Sequence, residues 1–235
     1  MTTSPVDSNV LRHLTEFDTP TICNALELVL GGRRATGFTT TQMVCAFPDL
    51  KPIVGYARTA TIRAAQPSSM SPADGKALRI NYYSHVSSGD GPNIAVIQDL
   101  DPDPGVGAFW GEVNTAVHKG LGVLGCVTNG SIRDLDAIAP DFQLIAGEIG
   151  PSHAFVHLEA VGVDVNIFGM PVKDGDLIHA DRHGAAVIPL EVAAQMPAAI
   201  ELGARKEAVV LEAARAPGFT VEKLQAAWGG AEDIH

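Results

Sequence analysis

Leu121–Ile138, LGVLGCVTNGSIRDLDAI, is the stretch whose reading decides the fold. Leu121 to Val127 form an apolar run with no polar alternation, the pattern of a strand covered on both faces. Thr128-Asn129-Gly130 stops the run, and Arg133 and Asp134 follow side by side. An exposed ion pair between neighbours contributes only about 0–1 kcal/mol. The pair therefore reads as a salt bridge, as an Asp134 cap on a helix beginning near LDAI, or as part of a site. The site reading has a topological basis, because ligands of parallel α/β sheets bind beyond the carboxyl ends of the strands. Arginine suits bidentate recognition of a carboxylate or enolate, and aspartate suits a hard divalent cation such as Mg²⁺.

Working outward, NIAVIQDL (93–100) is a second apolar run, bounded by Gly-Pro and Asp-Pro, and FQLIAGE (142–148) reads as a third. PIVGYARTATIRA (52–64) is rich in β-branched and aromatic residues and predicts another strand. A helix is expected near 74–86. A second is expected within AFWGEVNTAVHKG, with Phe109, Val113, Ala116 and Val117 on one face. Strand and helix thus alternate through the middle third, which predicts a mostly parallel sheet. Toward the N-terminus, residues 18–30 predict an amphipathic helix with Thr19 as N-cap, Pro20 at the first helical position and Gly31-Gly32 at the end. Short β-rich runs over 154–188 read as antiparallel strands, and 190–215 and 220–228 return to helical spacing. The expected fold is α/β, a mixed central sheet with C-terminal helices, in one domain over residues 1–235.

The totals narrow the function. A net charge of −11, with no basic cluster longer than Arg33-Arg34, argues against nucleic acid. A small anionic substrate remains compatible if its pocket is locally positive. Cys23, Cys45 and Cys126 match neither a zinc nor a disulfide pattern, and Cys126 reads as a small core hydrophobe. No apolar run of about 18 residues and no signal-peptide core is present, so no membrane association and a cytoplasmic location are expected. His179 and His183 in HADRHG lie among β-rich runs and read as structural or turn residues, not as helical metal ligands. His118, at the end of its helix, reads as a complement to the helix dipole.

The loop Gly105-Val-Gly-Ala-Phe-Trp-Gly111 spaces its glycines wrongly for a dinucleotide fingerprint. It is either a tight turn or a set of backbone N–H groups ahead of a helix that could hold a carboxylate. Glu112, just inside that helix, either complements the dipole or acts as a general acid/base group.

With these residues in hand, the chain resembles the RraA-like family, which includes the class II 4-hydroxy-4-methyl-2-oxoglutarate aldolases. GAFWGEVNTAVHKG resembles the family's Gly-Glu helix start, and LGVLGCVTNGSIRDLDAI resembles its Gly-x-Val-x-Asp-Gly-x-x-Arg-Asp block. VKDGDLIHADRHGAAVIP resembles its Pro-Gly-Asp-Leu…Asp-x-x-Gly-Val segment, and DTPTICNAL matches more weakly. The resemblance implies a swivelling β/β/α domain in homotrimers or homohexamers, with helices 190–228 at subunit interfaces. It implies Mg²⁺ (or Mn²⁺) held by Asp134 and a substrate and enolate bound by Arg133. Backbone amides across Gly107, Ala108, Phe109, Trp110 and Gly111 would hold a pyruvyl carboxylate, and Glu112 would position the proton-carrying water. Glu207 is the carboxylate expected from a neighbouring subunit. The family's two aspartates in its Asp-Gly and Asp-Ala-Leu motifs are Asn129 and Asn24 here.

The implied activity is cleavage of a 4-hydroxy-2-oxo acid to pyruvate and a carbonyl product, with oxaloacetate decarboxylation as a side activity. The alternative on the same scaffold is a non-catalytic regulator of a ribonuclease, a role associated with loss of part of the catalytic set.

Overall fold

The computed structural model describes residues 6–234. Thirteen strands are present among the described residues: β1 (Val44–Cys45), β2 (Ile53–Arg63), β3 (Asn93–Asp99), β4 (Ala108–Trp110), β5 (Val123–Thr128), β6 (Ser131–Ile132), β7 (Gln143–Ala146), β8 (Glu148–Ile149), β9 (His157–Val161), β10 (Val165–Ile167), β11 (Met170–Val172), β12 (Leu177–Asp181) and β13 (Gly184–Ile188). The α-helices are α1 (Ser8–Leu14), α2 (Thr19–Leu30), α3 (Pro72–Val86), α4 (Glu112–Gly120), α5 (Met196–Arg215) and α6 (Val221–Glu232).

The main sheet runs β1-β7-β5-β3-β2-β12-β13, with β9 also on β2. Neighbours β2, β3, β5 and β7 are parallel, and the rest join antiparallel, so the sheet is mixed as expected. The apolar runs have the cause inferred from sequence. In β3, Ala95 and Ile97 pack toward α3 and Phe142, while Ile94 and Val96 pack toward Ile167 and Met170 beneath the other face. All four are fully buried, and each larger side chain contributes about 1.5–3 kcal/mol through burial. Cys126 lies in the first of these cores, where burial pushes its thiol far up. A third cluster joins α1, α2 and α5 to β2 and β12.

Three local expectations are corrected. The N-cap of α2 is Asp18, whose carboxylate accepts from the Thr21 N–H at 2.9 Å, so Thr19 is the first helical residue and Pro20 the second. Phe109 belongs to β4, and Val113 and Val117 of α4 face outward, because that helix buries Thr115 and His118 instead. His118 therefore does not complement the dipole as a cation. It is fully buried against Tyr82, Trp110 and Phe142, and burial lowers its pKa to about 4, leaving the ring neutral. Its Nε2 pairs with the Tyr82 hydroxyl at 2.7 Å, and its Nδ1 with the Asn114 carbonyl at 2.6 Å.

Candidate active site

Beyond the carboxyl ends of β3, β5 and β7, the chain builds a second, three-stranded parallel sheet in the order β4-β6-β8. Each of its strands follows the main-sheet strand of the same rank, so the main-sheet order is copied one layer further out. The Arg133 N–H donates to the Trp110 carbonyl at 2.9 Å, continuing the β4–β6 ladder to the point where both chains turn away. Gly111-Glu112 and Arg133-Asp134 meet at that corner.

The corner is tight. A Cβ on Gly111 would lie 2.5 Å from Asp134 Oδ2 and 3.2 Å from Arg133 Cγ, so glycine alone permits this approach. Asp134 adopts the left-handed conformation (φ 57°), which aspartate tolerates better than most residues and which concentrates at functional sites. Its side chain does not cap the short 3₁₀ turn Leu135–Ala137. Instead Oδ2 accepts from the Glu112 N–H at 3.3 Å and lies 3.6 Å from Arg133 Nε. Both side chains of that ion pair are about one-third exposed, at 34% and 38%, so the pair adds little stability. The Glu112 side chain is exposed.

Beside this corner lies a cleft of about 510 Å³. Its lining includes Arg133, Gly111, Val113, Asn114, Tyr83, Arg79 and Phe155. The Val113 and Asn114 N–H groups precede the first bond of α4, Thr115 N–H to the Gly111 carbonyl, and so have no partner within the helix. Of the glycine-loop residues, Ala108, Phe109 and Gly111 line the cleft. Gly107 packs instead against the His153 carbonyl, and Trp110 turns its fully buried indole into the core with Nε1 unpaired. Glu207 lies on α5 and accepts from Asn24 Nδ2 at 3.4 Å, so the fold does not bring it to Asp134 within one chain.

Sequence reasoning missed three cleft residues. Tyr83 donates its hydroxyl to Asn114 Oδ1 at 3.0 Å, and Asn114 Nδ2 donates to the Phe109 carbonyl, bracing the start of α4. Arg79 and Tyr83 carried only one signal, the i, i+4 spacing that sets them on one face of α3. Asn129 has a structural explanation. Its buried amide accepts from the Asp99 N–H at 2.7 Å and donates to the Asp99 carbonyl at 2.9 Å, tying together the ends of β3 and β5. A carboxylate could not make the second bond.

The donor set suits a hard cation that keeps most of its water. Mg²⁺ is commonly held through one or two carboxylates, and the open Asp134 carboxylate has Glu112 beside it. No group of three or more His, Cys, Asp or Glu residues able to hold a metal occurs among the described residues, which does not fit a closed zinc site.

The RraA-like family profile (Aldolase/RraA) matches residues 19–187, which include the whole Gly-Glu and Arg-Asp corner. This chain belongs to the RraA-like family. A Halalkalibacterium halodurans protein, provisionally named a 4-hydroxy-4-methyl-2-oxoglutarate aldolase, is 30% identical over 118 residues. That match spans 44% of this chain and about half, 55%, of the relative. An uncharacterized protein from Pseudomonas syringae pv. tomato has a solved structure 25% identical to the chain, with a TM-score of 0.71 and 95% of both chains covered. Streptomyces coelicolor RraAS2, described as an unusual member of the RNase ES inhibitor RraA family, shares the fold at 22% identity and a TM-score of 0.65, over 91% of this chain and 98% of that one. Among the described residues of this RraA-like chain, no helix is long and apolar enough to cross a membrane.

Proposed function

We propose that the cleft cleaves a 4-hydroxy-2-oxo acid to pyruvate and a carbonyl product, as a divalent-metal-dependent lyase. The observation that carries this reading is the convergence of the Arg133 guanidinium and the free N–H groups at the start of α4 on one cleft, with Asp134 held open beside it.

A 2-oxo acid carboxylate is matched by the Val113 and Asn114 N–H groups, at the helix end that favours an anion. The C3–C4 bond breaks, its electron pair passes to C3 as the enolate of pyruvate, and the C4 hydroxyl gives up its proton to become a carbonyl. Protonation at C3 completes pyruvate. Arg133 is a preorganised cation for the oxygen on which negative charge develops. Glu112, exposed beside Gly111, is placed to orient the water that carries the proton. Asp134 is the residue that would hold Mg²⁺ or Mn²⁺, and such an ion supplies Lewis-acid withdrawal of the enolate charge. The same enolate chemistry extends to oxaloacetate decarboxylation.

A trimer or hexamer is part of this reading, since Glu207 reaches a site only from a neighbouring copy. Val221 and Trp228 on α6, 67% and 54% exposed, are apolar surface that such an assembly would cover.

The test is pyruvate release from 4-hydroxy-4-methyl-2-oxoglutarate and from oxaloacetate, with Mg²⁺ and with excess EDTA. Chelator should abolish turnover of both. Asp134→Ala should lower kcat/KM by about 10³-fold, the scale of losing a main electrostatic element. Asp134→Asn, which tolerates the left-handed backbone, controls for folding. Unchanged turnover in Asp134→Ala sinks the assignment. The second reading, regulation of a ribonuclease, draws on the fold shared with RraAS2; absence of turnover with either oxo acid would favour it.

A further inference from the structure

The cleft at Arg133 continues past Tyr83. Ser68 and Arg79 line it and also line a second lobe of about 360 Å³, bounded further by Met70, Lys76, His157 and Leu158. Lys76, Arg79 and Tyr83 stand at i, i+3 and i+7 on α3 and therefore share one face. At 1.5 Å rise per residue, Lys76 lies about 10 Å along the helix from Tyr83. Tyr83 is bonded to Asn114 in the first turn of α4, so this distance is measured away from the corner assigned to the pyruvyl half.

The charges along that path are unbalanced. The chain carries 27 acidic and 16 basic side chains, yet neither lobe is lined by a carboxylate. Arg79 and Lys76 form no ion pair among the described residues. His157, by contrast, faces Glu159 at 2.9 Å. Two unpaired cations in a concave surface of an acidic protein raise a local positive potential that attracts an anion. Arg79 lines both lobes, whereas Lys76 lines only the lobe that Arg133 does not.

We propose that Arg79, backed by Lys76, is a specificity residue that binds an anionic group at the far end of the substrate's carbonyl half. This rests on the lyase reading above and assigns the end of the substrate that the reading leaves open. The group is a carboxylate or a phosphate, since Arg and Lys recognise both.

The test compares kcat/KM for 4-hydroxy-2-oxopentanoate, whose far end is neutral, 4-hydroxy-2-oxoadipate and 4,5-dihydroxy-2-oxo-6-phosphohexanoate in wild type, Arg79→Met and Lys76→Met. Wild type should favour one of the anion-ended substrates over the neutral one. Arg79→Met should lower kcat/KM for that substrate by about 30-fold, at least tenfold more than for the neutral one. Lys76→Met should cost it about threefold. The carboxylate or phosphate arm with the larger loss identifies the source. Equal losses on neutral and charged substrates, or no preference in wild type, overturn the proposal.

Calorimetry with 2-oxoadipate and with pyruvate separates the two readings. If nothing is cleaved but Arg79→Met still weakens 2-oxoadipate and not pyruvate, only the lyase reading falls. If the variant binds both as wild type does, the distal site falls.

Discussion

Asp134 and Asp181 are both aspartates within two residues of a cationic or titratable side chain, and the fold treats them in opposite ways. Asp181, 5% exposed at the end of β12, accepts from the Thr19 N–H at 3.0 Å and the His183 N–H at 2.8 Å. His183 Nδ1 lies 3.2 Å from both of its oxygens. Burial opposes its charge, but these donors overcome it and hold the carboxyl below its usual range. His179 beside it is equally committed, to Thr19 Oγ1 at 3.0 Å and to the Phe17 carbonyl at 3.0 Å. Asp134 has one long hydrogen bond and a loose ion pair. A carboxylate whose lone pairs are all taken maintains structure, and one left open in a strained backbone has capacity for a ligand. Motif spacing alone ranks the two alike.

The sharpest way to break that contrast is the Asp134→Ala loss of about 10³-fold in turnover with the melting temperature nearly constant. The next effect lies at the far end of α4, where His118 is buried and neutral. Between pH 6.5 and about 4 the unfolded chain binds a proton at this residue that the folded chain does not. Stability should therefore be complete above pH 6.5 and fall by roughly 3 kcal/mol as pH drops toward 4. Urea midpoints across pH 4–7 should show this slope and lose the His118 part of it in His118→Asn, the rest belonging to His179, whose pKa burial also lowers. Asp181 acts in a different window, below its unfolded value of 3.8, because its folded pKa is depressed.

Third in size, Asp181→Ala should cost about 2 kcal/mol by orphaning the Thr19 and His183 donors. Activity per folded molecule should stay near wild type, read by active-site titration against a calorimetric melt. Loss of activity without loss of stability would reverse the roles assigned to the two aspartates. The smallest effect is expected from Gly111→Ala. Its Cβ displaces the Asp134 carboxylate, which should lower kcat/KM by about tenfold. Its backbone is extended (φ −164°), so the melting temperature should barely move.

The parts legible in the sequence were those with a local physical signature. β3 and β5 are covered on both faces and so are continuous apolar runs, while Gly31 and Pro20 punctuate α2. The Arg133-Asp134 pair was readable because its position follows from the end of β5. What escaped had no periodicity to show. β4, β6 and β8 are two or three residues each, too short for alternation. The face of α4 was misread because tertiary packing buries His118 and Thr115 while Val113 stays 74% exposed, the reverse of a hydropathy pattern. Arg79 looks in sequence like any surface cation of a helix, and only the unpaired charge beside a cleft distinguishes it.

The two halves of the corner hang from the main sheet on tethers of very different length. Two residues, Asn129 and Gly130, separate β5 from β6, whereas residues 100–107 separate β3 from β4. The short tether is locked by the Asn129 amide, which leaves the Arg133 jaw little freedom to move relative to the sheet. The long one is pinned at its first residues, where the Leu100 N–H donates to the Ile62 carbonyl at 2.9 Å and the Asp101 carboxylate accepts from the Ala64 and Ala65 N–H groups at 2.7 Å, and again where Asp99, its charge disfavoured by burial, gathers the Asp101 and Gly105 N–H groups. Gly105 makes its turn at φ 101°, a conformation that other residues rarely adopt. The corner is thus one jaw on a short tether and one on a long tether held at Leu100, Asp101 and Gly105. Insertions that retune the jaw opening belong in 102–104, between the held Asp101 and Gly105, where each doubling of loop length costs only about 0.6 kcal/mol. A single residue added at 129–130 would shift Arg133 and Asp134 out of register with Gly111 and Glu112.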